Sequence, residues 1–241
     1  LHVIVGAAGP LRATAPGVAL DANWTKLRSS IRVSTEHLRR LSLVLDNPDF
    51  ALRAEGRQEA VTARATHAEI HLGEENSKSD LLEVALRSQG LLLAAPGAPA
   101  IPEADIILSA GLPGAMPRAD GSDPVAGWTA AGRRIVLHGL DLSLAGFRTV
   151  ATGDLAFDEA GLLSGTVTLR LAGLEKLPDL AETVRPGSRD AVAQVAAGLA
   201  AFTKKVEEDG VVWQEATIAI DQGVARAGLI PLGTIPPVAL P

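Results

Sequence analysis

His67-Ala68-Glu69-Ile70-His71 is the stretch whose residue types most invite chemistry, because imidazole and carboxylate groups ligate metals and carry protons. On a helix the two histidines would lie one turn apart and could share an ion. The flanks argue for a strand instead. Val61, Ala63 and Ala65 alternate with other residues before the motif, and Ala68, Ile70 and Leu72 follow it, with a change of phase near Thr66 that reads as a bulge. In a strand the outer histidines stand roughly 13 Å apart, too far for one ion to bridge. The expectation is therefore a wet strand face with no metal.

Other candidates weaken in the same way. His138 reads as a lone histidine on an apolar strand face beside Val136, Leu140, Leu142 and Leu144, which suits a partly buried, hydrogen-bonded ring better than a catalytic one. Gly161-Leu162-Leu163-Ser164-Gly165 sets its serine one position from where a nucleophile elbow needs it, and no glycine-rich phosphate loop is present. Glu207-Glu208-Asp209 reads as the solvated end of a helix. There is no cysteine, so thiol chemistry and disulfides are excluded. These residues predict no catalytic group, no cofactor and no enzyme. Trp24, Trp128 and Trp213 are the only tryptophans, and two readings of them stand: core filling, or the lining of an apolar cleft.

The elements that must position these side chains are mostly strands. Val167, Leu169 and Leu171 alternate with Thr166, Thr168 and Arg170; Leu82, Val84 and Leu86 oppose Glu83 and Arg87; Ile31 and Val33 oppose Arg32; Ala216, Ile218 and Ile220 oppose Thr217 and Asp221. Burial on one face only marks antiparallel sheet. Residues 135–145 and 148–157 read as a long hairpin, continued by a strand over 166–172. Helices are few. Asp123 and Pro124 open a short one that ends at Gly132 and carries Trp128, and a longer amphipathic one is predicted over 189–208. The fold class is thus mainly β (α+β), a long curved antiparallel sheet packed against one longer helix and one or two short ones. We expect one domain over 1–241, with halves 1–110 and 124–241 sharing the sheet and a Gly/Pro-rich loop over 111–123 between them. The proline-rich end, 231–241, is expected to form an extended strap.

Composition narrows the partners. Hydrophobic residues make up 47% of the 241, aromatic residues only 3%, so the apolar face must be aliphatic. A net charge of −6 offers no basic field for phosphate backbones, which sets nucleic acid aside. No run reaches the roughly 18 apolar residues a spanning helix needs. Because the sequence starts at Leu1, a removed N-terminal segment is expected, and membrane association only through it.

Trp128 to Gly132, residues 135–145, Ala151 to Asp158, Gly165 to Gly173, and Ile220-Asp221 leading to Pro231 and Pro237 together resemble, in order and spacing, the bacterial family called domain of unknown function 2125. Trp24 to Arg28, Leu41 to Asp46 and Ile70 to Leu72 extend the resemblance over most of the chain. Its signatures are structural phrases, and no catalytic residue comes with it. The resemblance implies an alphaproteobacterial envelope protein, periplasmic and made with an N-terminal signal or an inner-membrane anchor. In style it is also similar to long-sheet envelope proteins of the AsmA-like and lipid-transfer type, an analogy of fold alone.

Two functions follow as expectations. In the first, the concave aliphatic face, partly covered by the 189–208 helix, binds a lipid or other apolar small molecule, with Trp128, His138, Leu140, Leu199, Phe202 and Trp213 as lining. In the second, the sheet has a solid core and pairs with an envelope protein through an exposed edge strand.

Overall fold

Aliphatic residues alternating with Thr, Ser and Arg favour strands, because a pleated chain sends successive side chains to opposite faces and β-branched residues pack well there. The computed structural model describes residues 1–74, 80–118 and 120–239. In chain order its elements are β1 (His2–Ala7), β2 (Leu11–Ala15), β3 (Val18–Asn23), β4 (Lys26–Val33), β5 (Leu38–Asp46), β6 (Asp49–Ala54), β7 (Val61–Arg64), β8 (His67–Glu74), β9 (Leu81–Ala94) and β10 (Ala104–Pro113). Helix α1 (Pro124–Ala130) follows, then β11 (Arg134–Leu144), β12 (Phe147–Phe157) and β13 (Leu163–Ala172). A 3-10 turn (Leu174–Lys176), α2 (Leu177–Val184) and α3 (Arg189–Phe202) lead to β14 (Lys204–Glu208), β15 (Val211–Asp221), β16 (Val224–Ala227) and β17 (Ile230–Thr234).

Antiparallel pairing sets the strands in the order β1, β4, β5, β8, β9, β10, β11, β12, β13, β15. β14 and β16 both lie along the far side of β15, and β17 lies outside β16. A second strip, β2, β3, β6, β7 and the end of β9, runs beside the N-terminal part. The two strips are the same strands after a bend. Each chain segment breaks at one level, at Trp24-Thr25, Asn47-Pro48, Ala65-Thr66 and Gly90, so a crease crosses the sheet. Main-chain bonds stitch it: Thr25 N–H to Asp46 O at 2.9 Å, Asn47 N–H to Thr66 O at 2.9 Å, and Thr66 N–H to Gln89 O at 2.9 Å. Gly90 makes the bend possible in β9. Its φ is +63°, and a Cβ there would stand 3.1 Å from the Thr66 methyl.

Strands β9, β10 and β11 are hydrogen-bonded without interruption, and β10 takes in Gly111 to Pro113 at the start of the stretch expected as a loop. Helix α1 forms where the sequence places it, with Asp123 Oδ1 accepting from the Val125 N–H at 2.9 Å.

The longer helix is shorter than the sequence suggests. It ends at Phe202, Thr203 is extended at φ −88° and ψ 148°, and residues 204–208 form a strand. The reason is the turn that follows. Asp209 and Gly210 have φ of 52° and 75°, both positive as in a two-residue hairpin turn, which folds β14 onto β15. Glu207 and Glu208 therefore sit on a strand rather than at a helix end.

Candidate functional site

Register places one aliphatic line across the sheet: Val5, Ser29, Leu43, Ile70, Leu86, Leu108, Leu140, Ala151, Leu169 and Ala216 face each other in sequence across ten strands. At about 4.8 Å per strand this line spans about 43 Å. A parallel line joins Ile31, Leu41, Leu72, Val84, Ala110, Leu137, Gly153, Val167 and Ile218. The opposite face is mostly polar: Arg28, Glu69, Arg87, Asp141, Arg170 and Glu215 occupy matching positions, with Val44, Ile107 and Val150 between them. Ion pairs such as Arg148 with Asp141 at 2.6 Å lace it.

The aliphatic face is only partly covered. At the C-terminal end Ala151 is 2% exposed, Leu171 6% and Ile218 5%; at the N-terminal end Ile70 is 38% exposed, Ile31 40% and Val5 50%. Ile70 is decisive, because β8 lies between β5 and β9 and a side chain on a covered inner strand would be buried. The total surface tells the same story. A compact chain of 24.9 kDa exposes about 10,200 Å², whereas this one exposes 14337 Å².

One end of the face is closed. Leu82, Ala115 and Met116 form a buried cluster with Leu72, Val84, Leu112 and Trp128 packed on it. Trp128 also meets Phe157 edge to face, with ring centroids 6.4 Å apart, and its indole N–H donates to Arg134 O at 2.7 Å. Beside α1 an open cleft of about 750 Å³ is lined by Asp80, Arg118, Asp123 and Met116 among others.

The six expected lining residues do not converge. Trp128 and Leu140 share the aliphatic face. His138 does not. A bulge between Leu137 and Leu140 inserts an extra residue, so the inward parity shifts from Ile135 and Leu137 to Leu140 and Leu142. His138 faces the polar side instead, where its Nε2–H donates to Glu83 Oε1 at 3.2 Å. Trp213 has the parity of Glu215, opposite to Ile218, and is covered by the guanidinium groups of Arg148 and Arg170 at 5.4 and 4.9 Å from its ring centre. Leu199 is half-buried on α3, whose near neighbours are α2, the 3-10 turn and the start of β15. The Phe202 side chain lies outside the described residues.

The histidine motif is a strand, as its flanks require. His67 Nδ1 is 2.9 Å from Asp46 Oδ1 and its Nε2 is 2.7 Å from Glu69 Oε1, while His71 Nε2–H donates to Glu69 Oε2 at 3.1 Å. Glu69 raises the His67 pKa above 6.5 through its hydrogen bond, with burial opposing and Asp46 adding. In return His67, then His71, holds Glu69 below 4.5. Among the described residues no group of three or more His, Asp and Glu side chains is arranged to hold a metal ion.

Sequence reading missed Arg133. Its Nε is enclosed and has no hydrogen-bond partner among the described residues.

No helix among the described residues is long and apolar enough to cross a membrane. A family described as an uncharacterized protein conserved in bacteria (DUF2125) matches residues 1–236. No curated protein and no solved structure matches the chain.

Proposed function

The chain belongs to that bacterial family, DUF2125, and on this premise we propose that it holds a lipid or other apolar molecule against the aliphatic face of its sheet, in the periplasm. The observation that carries the reading is Ile70, flanked by Leu43 and Leu86 on inner strands yet 38% exposed. Folded chains seldom leave a contiguous aliphatic surface of this extent in water, and those that do use it for binding. The near absence of aromatic side chains supports an acyl chain as guest, since Leu, Ile and Val offer a smooth surface with few fixed contacts. Family resemblance supports the envelope as the compartment, and a fusion to a phosphatase that works only outside the cytoplasm tests that part.

Solvent extraction and mass spectrometry of the chain purified from its natural host test the binding. An alkyl-chain lipid present in stoichiometric amount is expected. Recovery of none, together with failure of the delipidated chain to take up an alkyl probe, would remove the reading.

A second reading has one observation of its own. β1 is an uncharged edge strand whose far side has no partner among the described residues, and Ile4 on it is 72% exposed. Natural edges are usually blunted by charge. A protein partner pairing with β1 would explain that, and photo-crosslinking from position 4 in cells tests it.

A further inference from the structure

Residues 114–118 leave the end of β10 and cross the ends of its neighbours instead of running out into solvent. Gly114 N–H donates to Asp80 O at 2.8 Å, beside the start of β9, and Leu38 N–H, at the start of β5, donates to Pro117 O at 3.1 Å. Arg118 forms an isolated antiparallel bridge with His37. Between β5 and β9, β8 ends at Glu74, whose Oε2 lies 2.7 Å from His37 Nε2. The segment is thus a strap across strand ends, on the side of the sheet away from the crease.

What the strap lies on is the aliphatic face. Met116 is 4% exposed and Ala115 6%, both buried with Leu82 and packed on by Leu72, Val84 and Leu112. Register sets Leu72 opposite Val84 and Leu82 opposite Leu112, and alternation places all four on the side of Ile70 and Leu86. One step of that alternation divides covered from open surface: Leu72 lies against the strap cluster, while Ile70, two residues back on β8, is 38% exposed. The strap therefore occupies surface continuous with the row that stands open.

Its residues suit a removable cover. Methionine is unbranched and adaptable, so on Leu72 and Val84 its side chain makes the contacts that an alkyl chain would make. The fastenings are uneven. At one end Gly114 is pinned at φ +76°, where a Cβ would run into the Gly127 carbonyl oxygen of α1. At the other, the fastenings among the described residues are the Leu38–Pro117 hydrogen bond and an ion pair of Arg118 with Asp80 at 2.8 Å, both side chains exposed. Exposed pairs of this kind hold weakly. The apolar burial lost when Met116 lifts is restored by an alkyl chain that takes its place.

We propose that the strap is a lid: an alkyl guest seated on the open row of Leu43, Ile70 and Leu86 displaces Met116 from Leu72 and Val84 and binds in its place. This rests on the reading of the aliphatic face as a ligand site, and adds to it a closed state that the guest converts to an open one.

Met116 is the only methionine and the chain has no cysteine, so the gain of one oxygen at sulfur reports its exposure directly. The delipidated full chain is treated with dilute peroxide, with and without saturating hexadecanol, whose binding is read separately by displacement of a fluorescent alkyl probe. Oxidation should be slow in the free chain and several-fold faster with the guest. A disulfide between His37→Cys and Arg118→Cys supplies the second measurement, since facing residues of an antiparallel bridge stand close enough to be joined. The closed disulfide form should bind the alkyl probe about tenfold more weakly than the same protein after reduction, a usual size for coupling between a site and its cover. Comparing one protein before and after reduction removes any effect of the substitutions on folding. If hexadecanol binds and Met116 oxidises no faster, or if the closed and reduced forms bind alike, the lid is overturned and the face remains a binding surface. Oxidation of the free native chain as fast as that of the urea-unfolded chain overturns it as well. Failure of the native chain to bind any alkyl probe overturns both the lid and the reading of the face.

Discussion

The two ends of the aliphatic face carry the same kind of residue in the same register, and only one end is covered. At Ala151, Leu171, Ile218 and Ile220 the inward side chains are buried, and this half also supplies the chain that does not lie in the sheet: the 3-10 turn with buried Leu174, α2 with Leu180 and α3 with Ala196. At Val5, Ile31 and Ile70 they are exposed, though Leu45 on β5 is buried, and among the described residues between β1 and β9 there is no helix. Hydrophobic burial supplies most of the drive for folding. The C-terminal half therefore holds the greater part of the molecule's stability, while the N-terminal half offers surface that a guest can bury.

Truncation at matched positions breaks or confirms this contrast, with the largest effects expected at the covered end. Ile218→Ala and Leu171→Ala should each cost about 2–4 kcal/mol in urea unfolding, the usual loss for a buried aliphatic side chain. Ile70→Ala should cost under about 1 kcal/mol, because little of its surface leaves water on folding. An equal loss at Ile70 and Ile218 would show that both ends are covered. In the presence of an alkyl ligand the Ile70 substitution should matter more and the Ile218 substitution no more than before, since only the first would meet the guest.

The crease sharpens the contrast at an intermediate scale. Gly90→Ala forces a Cβ onto a residue at φ +63° and against Thr66, and should cost about 1–2 kcal/mol. Gly139→Ala, in the bulge of β11, places a Cβ with nothing within 4 Å and should stay within about 0.5 kcal/mol. Thermal unfolding of the two variants side by side reads the difference. Similar losses would mean that the bend in β9 imposes no special backbone requirement.

The strands were legible because alternation is a local property. Thr166 to Leu171 and Leu82 to Arg87 write their two faces directly into the sequence, and the structure keeps them. Side-chain direction failed where the register slips, at His138, because a bulge is set by the pairing of β11 with β10 and β12 and leaves no mark on the alternation itself. The end of α3 failed for a different reason. Val206 continues the helical spacing, but Asp209-Gly210 is a strong two-residue hairpin signal, and the pairing of β14 with β15 overrides the helix preference of residues 204–208. Coverage of the aliphatic face was not legible at all, since Ile70 and Ile218 occupy equivalent positions in their strands and differ only in what the rest of the chain brings near them.

The smallest expected effect concerns the polar side of the open half. His67 joins β8 to β5 just before the crease, through Asp46 and Glu69. Its pKa is raised above 6.5 by Glu69 and then Asp46, so the stabilisation it gives is fully present below about 6.5 and is lost as pH rises through the raised value. Glu69 is lowered below 4.5, so its share is present above that value and is lost as pH falls through the lowered one. The network therefore contributes most between about 4.5 and 6.5. For a partly exposed set of ion pairs the contribution is about 0.5 kcal/mol. The urea midpoint of the native chain should fall slightly between pH 6 and pH 8, and His67→Gln should flatten that slope. The effect should leave the covered half untouched: Ile218→Ala should lose the same stability at both pH values. A pH dependence of that loss would mean that the crease network is coupled to the far end of the sheet, and the two halves would then have to be treated as one cooperative unit.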